Sequence, residues 1–232
     1  MSKKSKRYQK AAELVDSDKQ YGLEDAVGVI KSFPAPKFDA TVTLSFKLGV
    51  DPRKSDQMVR GSVALPHGTG KQVKVVVFAQ GDAAKAAQDA GADEVGLEDL
   101  IKKVQGGFTD FDAAVATPDA MLEVRKIARV LGPRGLMPNP KTGTVTEDTA
   151  AAVQAVKAGR IDYKLDKNGN VSAAIGKASF DNDKIIENAN ALIESLVKAK
   201  PASAKGNYIQ NVTIAACMSP GVALESSLYA IN

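Results

Sequence analysis

From Thr41 to Leu48 apolar and polar side chains alternate without a break. Val42, Leu44, Phe46 and Leu48 fall on one side, Thr41, Thr43, Ser45 and Lys47 on the other. A period of two predicts a strand with one face on a core and one face open. The open face carries hydroxyls and a lysine and no carboxylate, so it can exchange hydrogen bonds without repelling phosphate. The same period returns at Ile161, Tyr163 and Leu165, and again at Val171, Ala173 and Ile175. Between those runs Lys167-Asn168-Gly169-Asn170 predicts a hairpin turn, since Asn-Gly favours the left-handed backbone. Tyr208 to Ala216 reads as a last strand, with Val212, Ile214 and Ala216 inward. Two stretches shift to the helical period. Tyr21 to Phe33 aligns Leu23, Ala26, Val27 and Ile30 and stops at Pro34 and Pro36. Asp183 to Lys200 aligns Ile185, Ile186, Ala189, Leu192, Ile193, Leu196 and Val197 and ends at Pro201.

The middle of the chain follows a different pattern. Val73 to Ala79 is a nearly continuous apolar run, as in a parallel strand buried on both faces. A helix from Asp82 to Ala90, a short one from Leu97 to Val104, a strand from Phe111 to Ala116 and a helix from Pro118 to Leu131 follow. Thr144-Val145 and a helix from Glu147 to Ala158, closed by Gly159, complete the segment. Alternating strand and helix predicts βαβ units on a small parallel sheet. The fold class is therefore α/β and α+β in two domains. Residues 1–66 and 160–232 form a discontinuous antiparallel α+β domain, and 67–159 an inserted α/β domain. Gly68, Gly70 and Gly159 at the two crossings are the predicted hinge.

Composition narrows the chemistry. At 232 residues, 44% hydrophobic and 25% charged, the chain can bury a real core. No apolar run reaches the roughly 18 residues of a membrane span, and the basic N-terminus has no apolar signal region, so no membrane is expected. One cysteine, Cys217, excludes an internal disulfide and fits a reducing cytoplasm. One histidine, His67, leaves little for a histidine-based metal site or nucleophile; no metal, cofactor or catalytic residue is predicted. The alternative of a nucleotide-binding enzyme using the insert is weak. His67-Gly68-Thr69-Gly70-Lys71 lacks Ser or Thr after the lysine and precedes its strand, and Ala79-Gln80-Gly81-Asp82 is no dinucleotide fingerprint. Carboxylate pairs Glu98/Asp99 and Asp181/Asp183 sit at helix starts, where they cap and complement the dipole. The net charge of +4 is unevenly spread. The insert holds 11 basic and 12 acidic residues, net −1, leaving 20 against 15, net +5, for the discontinuous domain. Any nucleic-acid contact therefore belongs to that domain. Residues 2–10 add a basic stretch read as a solvated tail or a phosphate-seeking arm.

The stretch Arg129 to Gly143 holds three prolines and three glycines, which exclude regular structure and predict a rigid loop. Its core, Leu131-Gly132-Pro133-Arg134-Gly135-Leu136-Met137-Pro138-Asn139-Pro140, resembles the signature of the ribosomal protein L-one family of the mobile large-subunit stalk. Arg53-Lys54-Ser55-Asp56-Gln57, Val59-Arg60-Gly61, Leu65-Pro66-His67-Gly68-Thr69-Gly70-Lys71 and Asp166-Lys167-Asn168-Gly169 match its bacterial form, and the similarity runs nearly end to end. The resemblance implies a split RNA-binding domain with a Rossmann-like insert, and a non-enzymatic constituent of the large ribosomal subunit, monomeric when free and cytoplasmic on the ribosome. It implies 23S rRNA, exit-site tRNA and the leader of the chain's own mRNA as partners, with tRNA release and translational repression as roles. Carried over, the RNA contacts are Lys37, Phe38, Thr41, Ser45, Lys167, Cys217, Met218 and Ser219. Secondary contacts are Arg53, Lys54, Arg60, Lys164, Arg134 and Lys141. Cys217 and Ser219 depart from the family's usual Thr and Gly. A thiol is the weaker hydrogen-bond partner, and serine adds a Cβ where glycine permits close approach or φ > 0.

Overall fold

The computed structural model describes residues 4–16, 18–204 and 206–229, without the side chains of Lys141, Ser227 and Leu228. In chain order its elements are α1 (Lys6–Glu13), α2 (Leu23–Ser32), β1 (Thr41–Leu48), β2 (Arg60–Ala64), β3 (Val75–Phe78), α3 (Gly81–Asp89), β4 (Glu94–Gly96), α4 (Glu98–Gln105) and β5 (Ala113–Ala116). Then come α5 (Met121–Val124), α6 (Ala128–Leu131), α7 (Thr149–Lys157), β6 (Arg160–Lys164), β7 (Asn170–Lys177), α8 (Asn182–Lys198), β8 (Ile209–Ala216) and β9 (Gly221–Leu224). The chain divides into two compact units, Met1–Gly70 with Ile161–Asn232, and Lys71–Arg160.

In the first unit a four-stranded sheet runs β7-β1-β8-β9, with antiparallel pairing throughout. The alternation in β1 becomes a burial alternation: Val42, Leu44, Phe46 and Leu48 are sealed, while Thr41, Thr43 and Ser45 are half-buried and Lys47 exposed. The sealed face packs with Ala26, Val27 and Ile30 of α2 and with Ile185, Ala189, Leu192 and Leu196 of α8 in one core. A separate two-stranded sheet pairs β2 with β6. Gly61 admits the ring of Tyr163 there, since a Cβ would stand 2.6 Å from its hydroxyl. That hydroxyl reaches the Ser195 Oγ of α8 at 3.0 Å.

Residues 67–70, which the sequence reading places in the insert, group with the first unit. The buried amide of Asn188 on α8 fastens this junction: Nδ2 donates to the carbonyls of Gly68 at 2.9 Å and Ile175 at 2.8 Å, and Oδ1 accepts from the His67 amide at 3.1 Å. His67 Nε2 meets Glu187 Oε2 at 2.6 Å.

In the second unit three parallel strands run in the order β4-β3-β5. β3 is buried on both faces. Val76 and Phe78 join Leu100, Val104, Val124, Ile127 and Leu131 on one side; Val75 and Val77 join Ala87, Ala152, Val153 and Val156 on the other. The proline-rich loop closes the first of these cores. Leu136 and Met137 pack against it, the Leu136 amide donates to the Leu131 carbonyl at 3.1 Å, and the Asn139 amide donates to Thr144 Oγ1 at 2.8 Å. The Arg160 guanidinium donates to the Thr142 carbonyl.

Several local expectations change. Residues 118–131 are not one helix: a 3-10 turn, Arg125–Ile127, separates α5 from α6, although Ala120, Val124, Ile127 and Leu131 keep one buried stripe. Turn 166–170 forms, with the Asp166 amide donating to the Asn170 carbonyl at 2.8 Å, but the flanking strands β6 and β7 pair in different sheets, so it is no hairpin. Thr144-Val145 contributes a single parallel bridge to Ala116. Asp181 stands at the N-cap of α8 but gives no side-chain cap; it pairs with Lys184 at 2.8 Å. β2, β4 and β9 carry no alternation long enough to announce them. Of the basic N-terminal stretch, Ser2 and Lys3 lie outside the described residues, and Lys6 onward is helix, capped by Ser5 Oγ on the Tyr8 amide at 3.2 Å.

Two buried polar groups give opposite predictions. Asn188→Leu strands two carbonyls and an amide and is expected to cost about 2–3 kcal/mol. The Tyr208 hydroxyl is buried with no partner among the described residues, and burial, then the nearby Tyr163, pushes it up to about 12. Tyr208→Phe is therefore expected to be neutral or to stabilise by up to about 1 kcal/mol. All five tyrosines lie in the first unit and there is no tryptophan, so tyrosine fluorescence in urea reads this unit. An unshifted Asn188→Leu midpoint contradicts the account of the junction.

Candidate nucleic-acid interface

The open side of the four-stranded sheet is built by register. Ser172, Ser45, Thr213 and Ala223 stand in one row across the four strands, and Ala174, Thr43, Ala215 and Gly221 in the next. Neighbouring strands lie about 4.8 Å apart, so the rows present a face on the order of 15 Å wide. Its side chains are short, and Ser45 Oγ lies 2.9 Å from Ser172 Oγ. Gly221 keeps its row low, since a Cβ there would stand 2.7 Å from Thr213 Cγ2. No carboxylate occupies either row.

Lysines frame this face. The Lys47 ammonium donates to the Asn168 carbonyl, beside exposed Lys167. At the other end the pairing slips: Val42 faces Gly176 while Thr43 faces Ala174. One extra residue reverses the side on which the following side chain emerges. Lys177 thereby joins the open side, its ammonium 2.9 Å from Thr41 Oγ1. Sequence reasoning missed Lys177 and Ser172. Ser172 follows from the alternation of β7, whereas the bulge that redirects Lys177 leaves no mark in the sequence.

The turn 166–170 holds Lys167 in place through Asp166. Its carboxylate accepts from the amides of Asn170 at 2.7 Å and Asn168 at 2.8 Å. These bonds, Asn170's first, hold the carboxyl below its ordinary range. Gly169 supplies the left-handed residue at φ 77°.

β8 ends in a turn beside β1. The Cys217 amide donates to the Thr41 carbonyl at 2.9 Å, and Ser219 closes back on the Ala216 carbonyl through its amide at 3.1 Å and its Oγ at 2.7 Å. Between them Met218 has φ 61°, the one left-handed non-glycine residue among those described. This position ordinarily takes glycine or asparagine, because a Cβ crowds the backbone there. The left-handed site is thus Met218 and not Ser219, so the serine at 219 meets no backbone penalty. Met218 is 67% exposed and Phe38 46%, two apolar side chains held out in water at neighbouring ends of the sheet. A groove of about 470 Å³ runs between the segment Phe33–Ala40 and this turn, lined by Arg7, Lys31, Phe38, Cys217 and Ser219 among others. Lys37 is exposed beside it.

The secondary positions are scattered. Exposed Arg53 and Lys54 sit in the turn after Asp51, and exposed Arg60 and Lys164 in the two-stranded sheet, outside the rows. In the second unit Arg134 bonds Thr109 Oγ1, and the Lys141 side chain lies outside the described residues. Gly68, Gly70 and Gly159 all have positive φ, at 62°, 71° and 101°. Gly68 is nevertheless fixed by Asn188. The described residues contain no cluster of metal-ligating side chains and no helix long and apolar enough to cross a membrane.

The sequence profile of the Ribosomal protein L1p/L10e family matches residues 30–220, from the end of α2 through the Met218 turn. The chain belongs to this family. It is 56% identical over 225 residues to the large ribosomal subunit protein uL1 of Mycobacteroides abscessus, covering 97% of this chain and 96% of the relative. It is also 56% identical over 228 residues to the protein of that name from Corynebacterium urealyticum, covering 98% and 96%. These names are those of ribosomal proteins, not enzymes.

The Met218 geometry makes a stability prediction for this family member. Met218→Gly removes the left-handed crowding and is expected to stabilise the first unit by about 0.5–1 kcal/mol. A lower urea midpoint for this variant contradicts the assignment of strain to this residue.

Proposed function

We propose that this member of the family is a constituent of the large ribosomal subunit that binds 23S rRNA through the open sheet face of its split unit. The observation that carries the reading is the face itself: rows of hydroxyls and small side chains without a carboxylate, framed by Lys47, Lys167 and Lys177. A-form RNA presents a wide, shallow minor groove lined with 2′-hydroxyls, which proteins read by shape and hydrogen bonding. A low surface of serine and threonine hydroxyls matches that groove, and the lysines reach the flanking phosphates. Thr41 and Ser45 supply hydroxyls from the central strand. Lys37, Phe38 and Met218 stand at the edge, where apolar side chains pack on a ribose or stack on an unpaired base. Cys217 serves through its amide, and Ser219 through its amide and hydroxyl, which set the turn.

Exit-site tRNA release, repression through the chain's own mRNA leader, a monomeric free state and a cytoplasmic place on the ribosome extend this reading. Their support is membership of the family. Arg53, Lys54, Arg60, Lys164, Arg134 and Lys141 are peripheral contacts in this scheme. Motion of the units is assigned to Gly70 and Gly159, with Gly68 anchored.

Titration of purified 23S rRNA with the full chain tests the face. Phe38→Ala and Met218→Ala are each expected to cost on the order of 1–3 kcal/mol of binding. Thr43→Glu places a carboxylate in the middle of the rows and is expected to weaken binding at least about tenfold, with less loss at high salt. Gln88→Glu, an exposed control on α3, is expected to leave affinity unchanged. Equal affinities for Thr43→Glu and the parent contradict the proposal.

A further inference from the structure

We propose that Arg7, on the N-terminal helix, is a positioning residue that holds the Met218 turn in its RNA-binding shape; the inference rests on the function proposed above. Arg7 Nη2 donates to the Met218 carbonyl at 2.9 Å, across 211 positions of sequence. The residue whose carbonyl it holds is the one non-glycine residue in the left-handed region among those described. That conformation is costly for methionine, so a turn that carries it gains from a tie to a neighbouring element. The Cys217 amide is tied to Thr41 and Ser219 to Ala216, both within the sheet end, and Arg7 adds a tie from α1 on the carbonyl of the 218–219 peptide. A charged donor on that carbonyl makes one of the stronger hydrogen bonds available to a protein, and it fastens the turn to α1.

The helix is arranged to deliver the guanidinium. Ser5 caps its first turn on the Tyr8 amide at 3.2 Å, and Ala11 is buried at 2% exposure, which fixes the face that α1 turns toward the unit. The Lys4 ammonium lies 5.2 Å from the centre of the Tyr8 ring. Arg7 is half-buried, lines the same groove as Phe38, Cys217 and Ser219, and makes no ion pair among the described residues. Among the described residues of the basic N-terminal stretch, Arg7 is the one that bonds the Met218 turn.

Three variants of the full chain, Arg7→Ala, Met218→Ala and the double variant, titrated with purified 23S rRNA across a salt series, test this. Arg7→Ala is expected to weaken binding about tenfold, the loss of one charged hydrogen bond acting through the turn. The slope of log affinity against log salt stays unchanged, because no phosphate contact is lost. In the Met218→Ala background Arg7→Ala costs little further, because the side chain that it aims is gone. Independent losses in the double variant, or a slope lower by about one, show a direct phosphate contact and overturn the positioning role. Full affinity for Arg7→Ala beside a weakened Met218→Ala overturns it too. Full affinity for Met218→Ala itself counts against the proposed interface and removes the positioning role with it. A cooperative tyrosine-monitored urea transition in each variant shows that it folds, so each outcome bears on binding.

Discussion

β1 is paired along both edges and has an apolar side chain at every second position. Those two facts constrain the first unit more than any other feature. Pairing on both edges places β1 in the interior of the sheet, and strict alternation commits one of its faces to the core. The helices that supply that core, α2 and α8, lie on the side of Val42, Leu44 and Phe46. The second face is left to Thr41, Thr43, Ser45 and Lys47, none of which could sit against an apolar helix without losing hydrogen bonds to water. A one-residue slip of β1 would reverse the two faces, so register and open face are specified together.

The second consequence concerns where strain and charge are kept. Met218 is held left-handed at the end of β8, although glycine would take that place at lower cost. Its side chain is two-thirds exposed, so core packing does not account for it. Charge follows the same division. With Arg160 counted in the second unit, that unit carries 12 basic and 12 acidic residues, leaving 19 against 15 in the first. Within the second unit lysines face carboxylates at close range, as Lys71 does Asp112 at 2.5 Å and Lys74 does Asp110 at 2.5 Å. The lysines on the open face of the first unit bond neutral oxygens, those of Asn168 and Thr41, with the Asp166 carboxylate within electrostatic reach of Lys47.

Much of this was legible in the sequence, and what was not has physical reasons. The bounds of β1, the two apolar stripes of α2 and α8 and the fully buried β3 follow from periodicity, because each segment has one dominant environment. β2, β4 and β9 were not visible: each is three to five residues long, too short for a period to show, and β2 pairs with β6, about a hundred positions away. The turn at Asn168-Gly169 was read rightly as a turn and wrongly as a hairpin, since turn chemistry says nothing about which strands pair afterwards. Lys177 was hidden by a bulge, and Arg7 by a contact that only the fold creates. The proline-rich loop that identifies the family most plainly closes a core in the second unit through Leu136, Met137 and Asn139. Its rigidity serves packing, and the stretch easiest to recognise lies outside the face assigned to RNA.

The central claim is that RNA lies on the open face of the split unit. Ultraviolet crosslinking of the full chain to 23S rRNA, with the crosslinked peptides identified by mass spectrometry, tests it most directly. The account predicts crosslinks concentrated in residues 37–47, 167–177 and 211–219, with Phe38 and Met218 prominent. Crosslinks confined to residues 71–160 contradict it.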